Sequence, residues 1–184
     1  MEEFEESGNG DGGDGEEEAA DGGADHGQFE FVVVAPEDGE EEHEADAAER
    51  AEALRLLEWV LLKLNGEVTG YLLEEKLIKR ELRSGAPDPS VLRIAKANLN
   101  EHLAYFSWLL ATRRWLAGDI MTLADFALAA HFSVLDYMGD IDWEKAGEAK
   151  DWYARIKSRP AFKPLLDDMI PGFAPPSHYQ DLDF

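Results

Sequence analysis

From Leu54 onward, apolar residues recur at intervals of three and four. Leu54, Leu57, Val60, Leu61 and Leu64 form one stripe of an amphipathic helix opening near Ala47. Gly66 and Gly70 interrupt the stripe, yet Tyr71, Leu72, Leu73, Leu77, Ile78 and Leu82 keep its period. The pattern predicts one long helix, bent near Gly66 and ending at Ser84-Gly85 behind the basic turn Lys79-Arg80 and Arg83. A second long helix opens at Asp88-Pro89, with Asp as N-cap and Pro at N1, where its missing amide costs nothing. Its stripe runs through Leu92, Ala95, Leu99, Leu103, Phe106, Leu109 and Leu110, ending near Arg113.

The strongest local signal follows. Thr122 and Asp125 have the spacing of a capping box, and Met121 at N′ with Phe126 at N4 can close a hydrophobic staple around it. The helix they open, Leu123 to Met138, has almost no charge between Asp125 and Asp136, so it is expected to be buried on nearly all sides. Asp142 is expected to cap a further helix through Trp143, Ala146, Ala149, Trp152, Tyr153 and Ile156, which Pro160 stops. A last short helix spans Phe162 to Met169, broken by Pro171-Gly172. No strand alternation or internal repeat appears after residue 47. The expected fold is all-α, a bundle of about five helices, over residues 47–170, with a Pro-containing tail at 171–184.

Charge separates this body from what precedes it. Residues 1–46 carry 19 Asp and Glu and no Lys or Arg, so −19 of the formal −23 lies there and −4 in the remainder. With nine of the 16 glycines in the same stretch, its composition reads as a disordered acidic tail. Within it, Phe29 to Val34 is a strand-like run, either a pairing segment or a sticky patch. Such acidity argues against nucleic acid and anionic membrane surfaces as partners. The absence of Cys removes disulfides, thiolate metal sites and a cysteine nucleophile. With no secretory h-region and no spanning apolar run, a cytoplasmic protein is expected.

Candidate chemistry is sparse. None of the histidines at 26, 43, 102, 131 and 178 has a second His or a paired acid at ligand spacing, so no metal site is expected. His131 reads as a core or interface histidine bonded to backbone. Glu74-Glu75 with Lys76, Lys79 and Arg80 reads as exposed i to i+4 pairs. Among Trp59, Tyr71, Trp108, Trp115, Trp143, Trp152 and Tyr153, most are expected in the core and one or two, Tyr71 first, beside a cleft. The residues alone support no catalytic site.

The turn Leu116-Ala117-Gly118-Asp119, the Thr122-x-x-Asp125 box and the stop Ser158-Arg159-Pro160-Ala161-Phe162 together resemble the C-terminal helical domain of cytosolic glutathione S-transferases. A narrower likeness rests on Glu67 to Leu73, Arg83 to Asp88, Ala95 to Asn98, Ala149 to Tyr153 and the end His178-Tyr179-Gln180-Asp181-Leu182-Asp183-Phe184. These segments are similar to the FtsZ-associated, transferase-like division proteins of alphaproteobacteria, the FzlA type. That resemblance implies a dimer that binds FtsZ filaments without transferase chemistry. It also implies a thioredoxin-like domain upstream, holding the residues that bind glutathione; residues 1–46 are too short for it, so no cofactor is expected unless that domain is restored. One expectation is therefore that the acidic stretch is a misread or alternative start of a longer gene. The function expected is a non-enzymatic binding module with a protein partner, FtsZ by resemblance, and the alternative is a glutathione transferase lacking its catalytic half. His178, Tyr179, Asp181, Leu182, Asp183 and Phe184 stand as a docking peptide or as a tail folded back over the body.

Overall fold

Every fourth residue from Leu56 to Leu72 (Leu56, Val60, Leu64, Val68, Leu72) is completely buried in the computed structural model, which describes residues 43–182 and their side chains from 47 on. A four-residue repeat drifts around an α-helix of 3.6 residues per turn. Here the winding widens to i→i+5 hydrogen bonding over Trp59–Thr69 and again over Glu74–Ile78, so the Gly70 amide reaches the Asn65 carbonyl and the Lys79 amide reaches Glu74. The wider turns keep the four-residue stripe on one side. This corrects the expected stripe: Leu54 (60 %) and Leu61 (49 %) face outward, and the register follows Leu56 instead. Helix α1 thus runs over residues 43–82, passing Gly66 within the wide winding. It begins at His43, inside the stretch read as tail; residues 1–42, with Phe29–Val34, lie outside the described residues.

The stop of α1 also differs from expectation. Arg83, not Gly85, takes the left-handed conformation (φ 52°, ψ 35°), while the Ser84 amide closes back on the Lys79 carbonyl at 3.0 Å. A non-glycine residue there costs about 1 kcal/mol. Arg83→Gly is therefore expected to raise the melting temperature by roughly 3 °C, measured by circular dichroism.

Helix α2, Pro89–Leu110, opens as expected, with the Asp88 carboxylate accepting from the Ser90 amide at 2.7 Å. Helix α3, Leu123–Tyr137, is the central element, and α4, Glu148–Lys157, packs against it and α2. Asp142 does not cap α4. The chain first turns through residues 142–146 to bury Trp143, with Asp142 paired to Lys145, and α4 starts after Gly147 at φ 55°. A side chain at Gly147 would be strained and would press on the Ser107 hydroxyl at 3.2 Å. A short turn at Pro160–Phe162 leads into α5, Lys163–Asp167.

Phe132 of α3 sits at the hub of the core, edge-on to Phe106, Trp143, Trp152 and Tyr153 with ring centroids 5.8 to 6.2 Å apart. Burial of α3 is nevertheless one-sided near its start, where Leu123 (57 %) and Phe126 (54 %) lie open. The Glu74 to Arg80 segment is less exposed than expected. Glu75 is buried, holding Lys79 at 2.6 Å and the Asp88 amide at 2.7 Å, and Lys76 crosses to Asp140 and the Met138 carbonyl at the end of α3. Tertiary packing turns these charges into ties between elements.

Candidate interaction surfaces

The capping box forms and does more than cap. Asp125 is fully buried; its Oδ2 accepts from the Thr122 amide at 2.8 Å and the Thr122 hydroxyl at 3.1 Å. Its Oδ1 accepts from the Leu116 amide at 3.0 Å and from Trp152 Nε1 at 2.9 Å. One carboxylate thereby fixes the helix start, the preceding loop and α4. The loop is held a second time by Arg113, which donates to the Leu116 carbonyl and to Glu52, each at 2.8 Å. Glu52 also pairs with Arg55, whose hydrogen bond, followed by that of Arg113, lowers the Glu52 pKa from 4.5 to about 2. A depressed carboxylate stabilises the fold above its unfolded value, so this contribution is complete above pH 4.5 and is lost as pH falls toward 2. Glu52→Gln is expected to flatten the dependence of the urea midpoint on pH across that window, with little change in slope above it.

Of the staple, Met121 packs against the core while Phe126 is open. Ile120 (67 %), Leu54 and Leu123 extend the same exposed apolar area, and with Ala53 and Leu57 they line a shallow groove of about 270 Å³ between α1 and the start of α3.

Eleven residues beyond Asp125, three helical turns along the same face, lies Asp136. It too is fully buried and holds a tryptophan, Trp143 Nε1, at 2.7 Å. Its carboxylate also meets His178 Nε2 at 3.0 Å and Lys157 Nζ at 3.5 Å, and Lys157 donates to the His178 carbonyl at 3.2 Å. Burial pushes the Lys157 pKa below the ordinary lysine value, an effect Asp136 opposes. These bonds fasten the C-terminal turn Ser177–Gln180, whose Tyr179 is buried with its hydroxyl 3.0 Å from Ser133 and 3.3 Å from the Leu165 carbonyl. The segment read as a tail is therefore packed on the body as far as Leu182, which lies against the Tyr137, Leu166 and Tyr179 cluster. Asp181 is exposed and Leu182 half-buried; Asp183 and Phe184 lie outside the described residues.

A third surface was not legible as a site. Between α1 and α2 lies an open cleft of about 560 Å³ lined by Trp59, Lys63, Glu67, Glu101, His102 and Tyr105 among others. Trp59 Nε1 stands 3.1 Å from His102 Nδ1, and His102 Nε2 stands 3.1 Å from Glu67. An indole N–H only donates, so Nδ1 accepts and the imidazole proton sits on Nε2, donating to Glu67. Burial holds the His102 pKa below its usual value, outweighing Glu67. The imidazole is neutral and tied at both nitrogens. No spacing rule links residues 59, 67 and 102; only the packing of α1 on α2 joins them.

His131 Nδ1 bonds the Thr69 hydroxyl at 2.9 Å rather than backbone, with burial lowering its pKa. Trp115, Trp143, Trp152 and Tyr153 are in the core; Tyr71 (50 %) lies on the outside of α1, and the clefts above are lined by other residues. Among the described residues, no group of three or more His, Asp or Glu could hold a metal ion, and no helix is long and apolar enough to cross a membrane.

Residues 90–168 match the family described as glutathione S-transferase, C-terminal domain. The chain is 57 % identical over 139 residues to FtsZ-localized protein A of Caulobacter vibrioides, covering 76 % of this chain and 61 % of that protein. Its structure superposes on that of FzlA from C. crescentus with a TM-score of 0.73 at 57 % identity, over 74 % of this chain and 61 % of the other. A glutathione S-transferase from Rhodospirillum rubrum gives a TM-score of 0.73 at 53 % identity, over 75 % and 62 %. The chain thus spans about three fifths of the length of these relatives.

Proposed function

We propose that this chain, whose residues 90–168 match a glutathione S-transferase C-terminal domain, is a non-enzymatic binding module that associates with FtsZ filaments at the division apparatus in the cytoplasm. The observation that carries the reading is the 57 % identity to a protein named for its localisation with FtsZ. The polar groups support it: the ring nitrogens of His102, and one each of His131 and His178, are engaged in holding elements together. No glutathione is expected to bind this chain, and FtsZ is the protein partner expected.

The docking role of the C-terminal end falls to Asp181 to Phe184, because His178 and Tyr179 anchor the turn behind them. Deleting residues 181–184 tests this while leaving the anchors in place. Loss of pelleting with FtsZ filaments, from a chain that circular dichroism shows still folded, is the expected outcome. Undiminished pelleting would reject the docking role.

The module is also expected to self-associate as a homodimer through exposed apolar surface, which includes Leu54, Ile120, Leu123 and Phe126. Light scattering at micromolar concentration should return more than the monomer mass, and a sharp monomer peak would contradict this. A second reading, a glutathione transferase represented only by its helical half, is favoured by the 53 % identity to a protein titled a glutathione S-transferase. Retention of the chain on immobilised glutathione would support that reading against the first.

A further inference from the structure

The cleft between α1 and α2 has the chemistry of a cation site. Trp59 and Tyr105 stand with ring centroids 4.7 Å apart at 30°, and Tyr105 and Trp108 follow at 6.2 Å and 23°, so three rings step outward from the cleft to the surface. Trp108 is 68 % exposed. The Trp59 face already attracts a positive charge, with Lys63 Nζ 5.4 Å from its centroid.

The carboxylates of the cleft differ in one respect. Glu67 is committed to Lys63 and His102, whereas Glu101, one turn before Tyr105 on α2, has no partner among the described residues. Ile94, Glu101 and Trp108 are seven residues apart and share one face of α2; Ile94 is 58 % exposed, so the free carboxylate lies between two open apolar side chains. A charge with an apolar rim is the pattern of a contact meant to be covered, since the rim excludes water once a partner sits on it.

We propose that this cleft receives an arginine side chain of a partner protein, its guanidinium lying at the Tyr105 ring, between Trp59 and Trp108, and pairing with Glu101. Arginine fits better than lysine because the planar, weakly hydrated guanidinium stacks on aromatic faces while its N–H fork reaches a carboxylate. Glu67 and Glu101 outnumber Lys63 in the lining, and Arg55, which donates to the Tyr105 hydroxyl at 2.8 Å, is balanced by Glu52, so the cleft is net negative and complementary to that guest. The site goes beyond the division-associated reading: it specifies a contact chemistry and holds or fails whatever the filament-binding result.

The test uses the whole chain, an acetylated and amidated Gly-Arg-Gly peptide, and the same peptide with citrulline, which keeps the shape and loses the charge. Indole N–H resonances of the five tryptophans report the outcome. The arginine peptide is expected to shift the Trp59 and Trp108 signals saturably, leaving those of Trp143 and Trp152 in the core unmoved, and the citrulline peptide is expected to shift none. Glu101→Gln, at an exposed position, should weaken the arginine peptide by about twofold to fivefold. The proposal is overturned by equal responses to the two peptides, by a response that Glu101→Gln leaves intact, by the absence of a saturable shift, or by signals that move only with protein dilution.

Discussion

Asp125→Ala is expected to lose about 3 to 5 kcal/mol, a large part of the about 5 to 15 kcal/mol that keeps a domain of this size folded. The loss is larger than a cap alone explains. Removing the carboxylate strands the buried Leu116 amide and the Trp152 indole N–H, each worth about 1 to 3 kcal/mol when left unpaired, in addition to opening the helix start. Thr122→Ala removes only the hydroxyl of the box and should cost about 1 kcal/mol. Urea unfolding of the two variants side by side checks the order. Equal costs would mean that Asp125 acts as a cap and nothing more.

The second large effect concerns Asp136. In Asp136→Ala, the buried Lys157 loses the carboxylate beside it, Trp143 loses its bond to Asp136 and the C-terminal turn loses the contact made through His178. A loss of about 3 to 5 kcal/mol is expected. The pH dependence identifies the cause. A buried ammonium binds its proton less well folded than unfolded, so the deficit should shrink as pH rises toward the ordinary lysine value of 10.5. The double variant Asp136→Leu/Lys157→Met removes both charges and should recover roughly 2 kcal/mol of the loss, the remainder being the bond from Trp143 Nε1 to Asp136. No recovery in the double variant would show that the ion pair is not what the single change breaks.

These two aspartates also show what the sequence makes legible and what it hides. The box at Thr122 and Asp125 is local, written in four consecutive residues, and it is found by reading them. That the second oxygen of Asp125 holds Leu116 and Trp152, nine and 27 residues away, depends on how the preceding loop and α4 pack around it. A signal for this was nevertheless present: Asp136 stands alone in an apolar helix three turns from Asp125, and an acid inside such a helix must find donors. Lys157, four residues after Tyr153 on the buried face of α4, was the donor to look for.

The buried stripe of helix α1 departs from expectation for a different reason. Its leucines fit a 3.6-residue period starting at Leu54 and a four-residue period starting at Leu56 almost equally well, and only the wide i→i+5 winding selects the second. The Trp59–His102–Glu67 set joins residues of two helices with no shared spacing, so it follows from the packing of α1 on α2 alone. Asp142 failed as a helix cap because burying Trp143 against Asp136 demands a turn where a helix would have pointed the ring elsewhere. Local signals thus carried the helix starts, and the long-range partners of charged residues carried the corrections.

The fold leaves open apolar surface at the start of α3 and a covered, anchored C-terminal turn, an arrangement suited to binding a macromolecule. Sedimentation of the purified chain with preformed FtsZ filaments tests that reading most directly. The chain is expected to pellet with the filaments in a saturable manner and to remain in the supernatant without them; a chain that stays in solution at every filament concentration would contradict it.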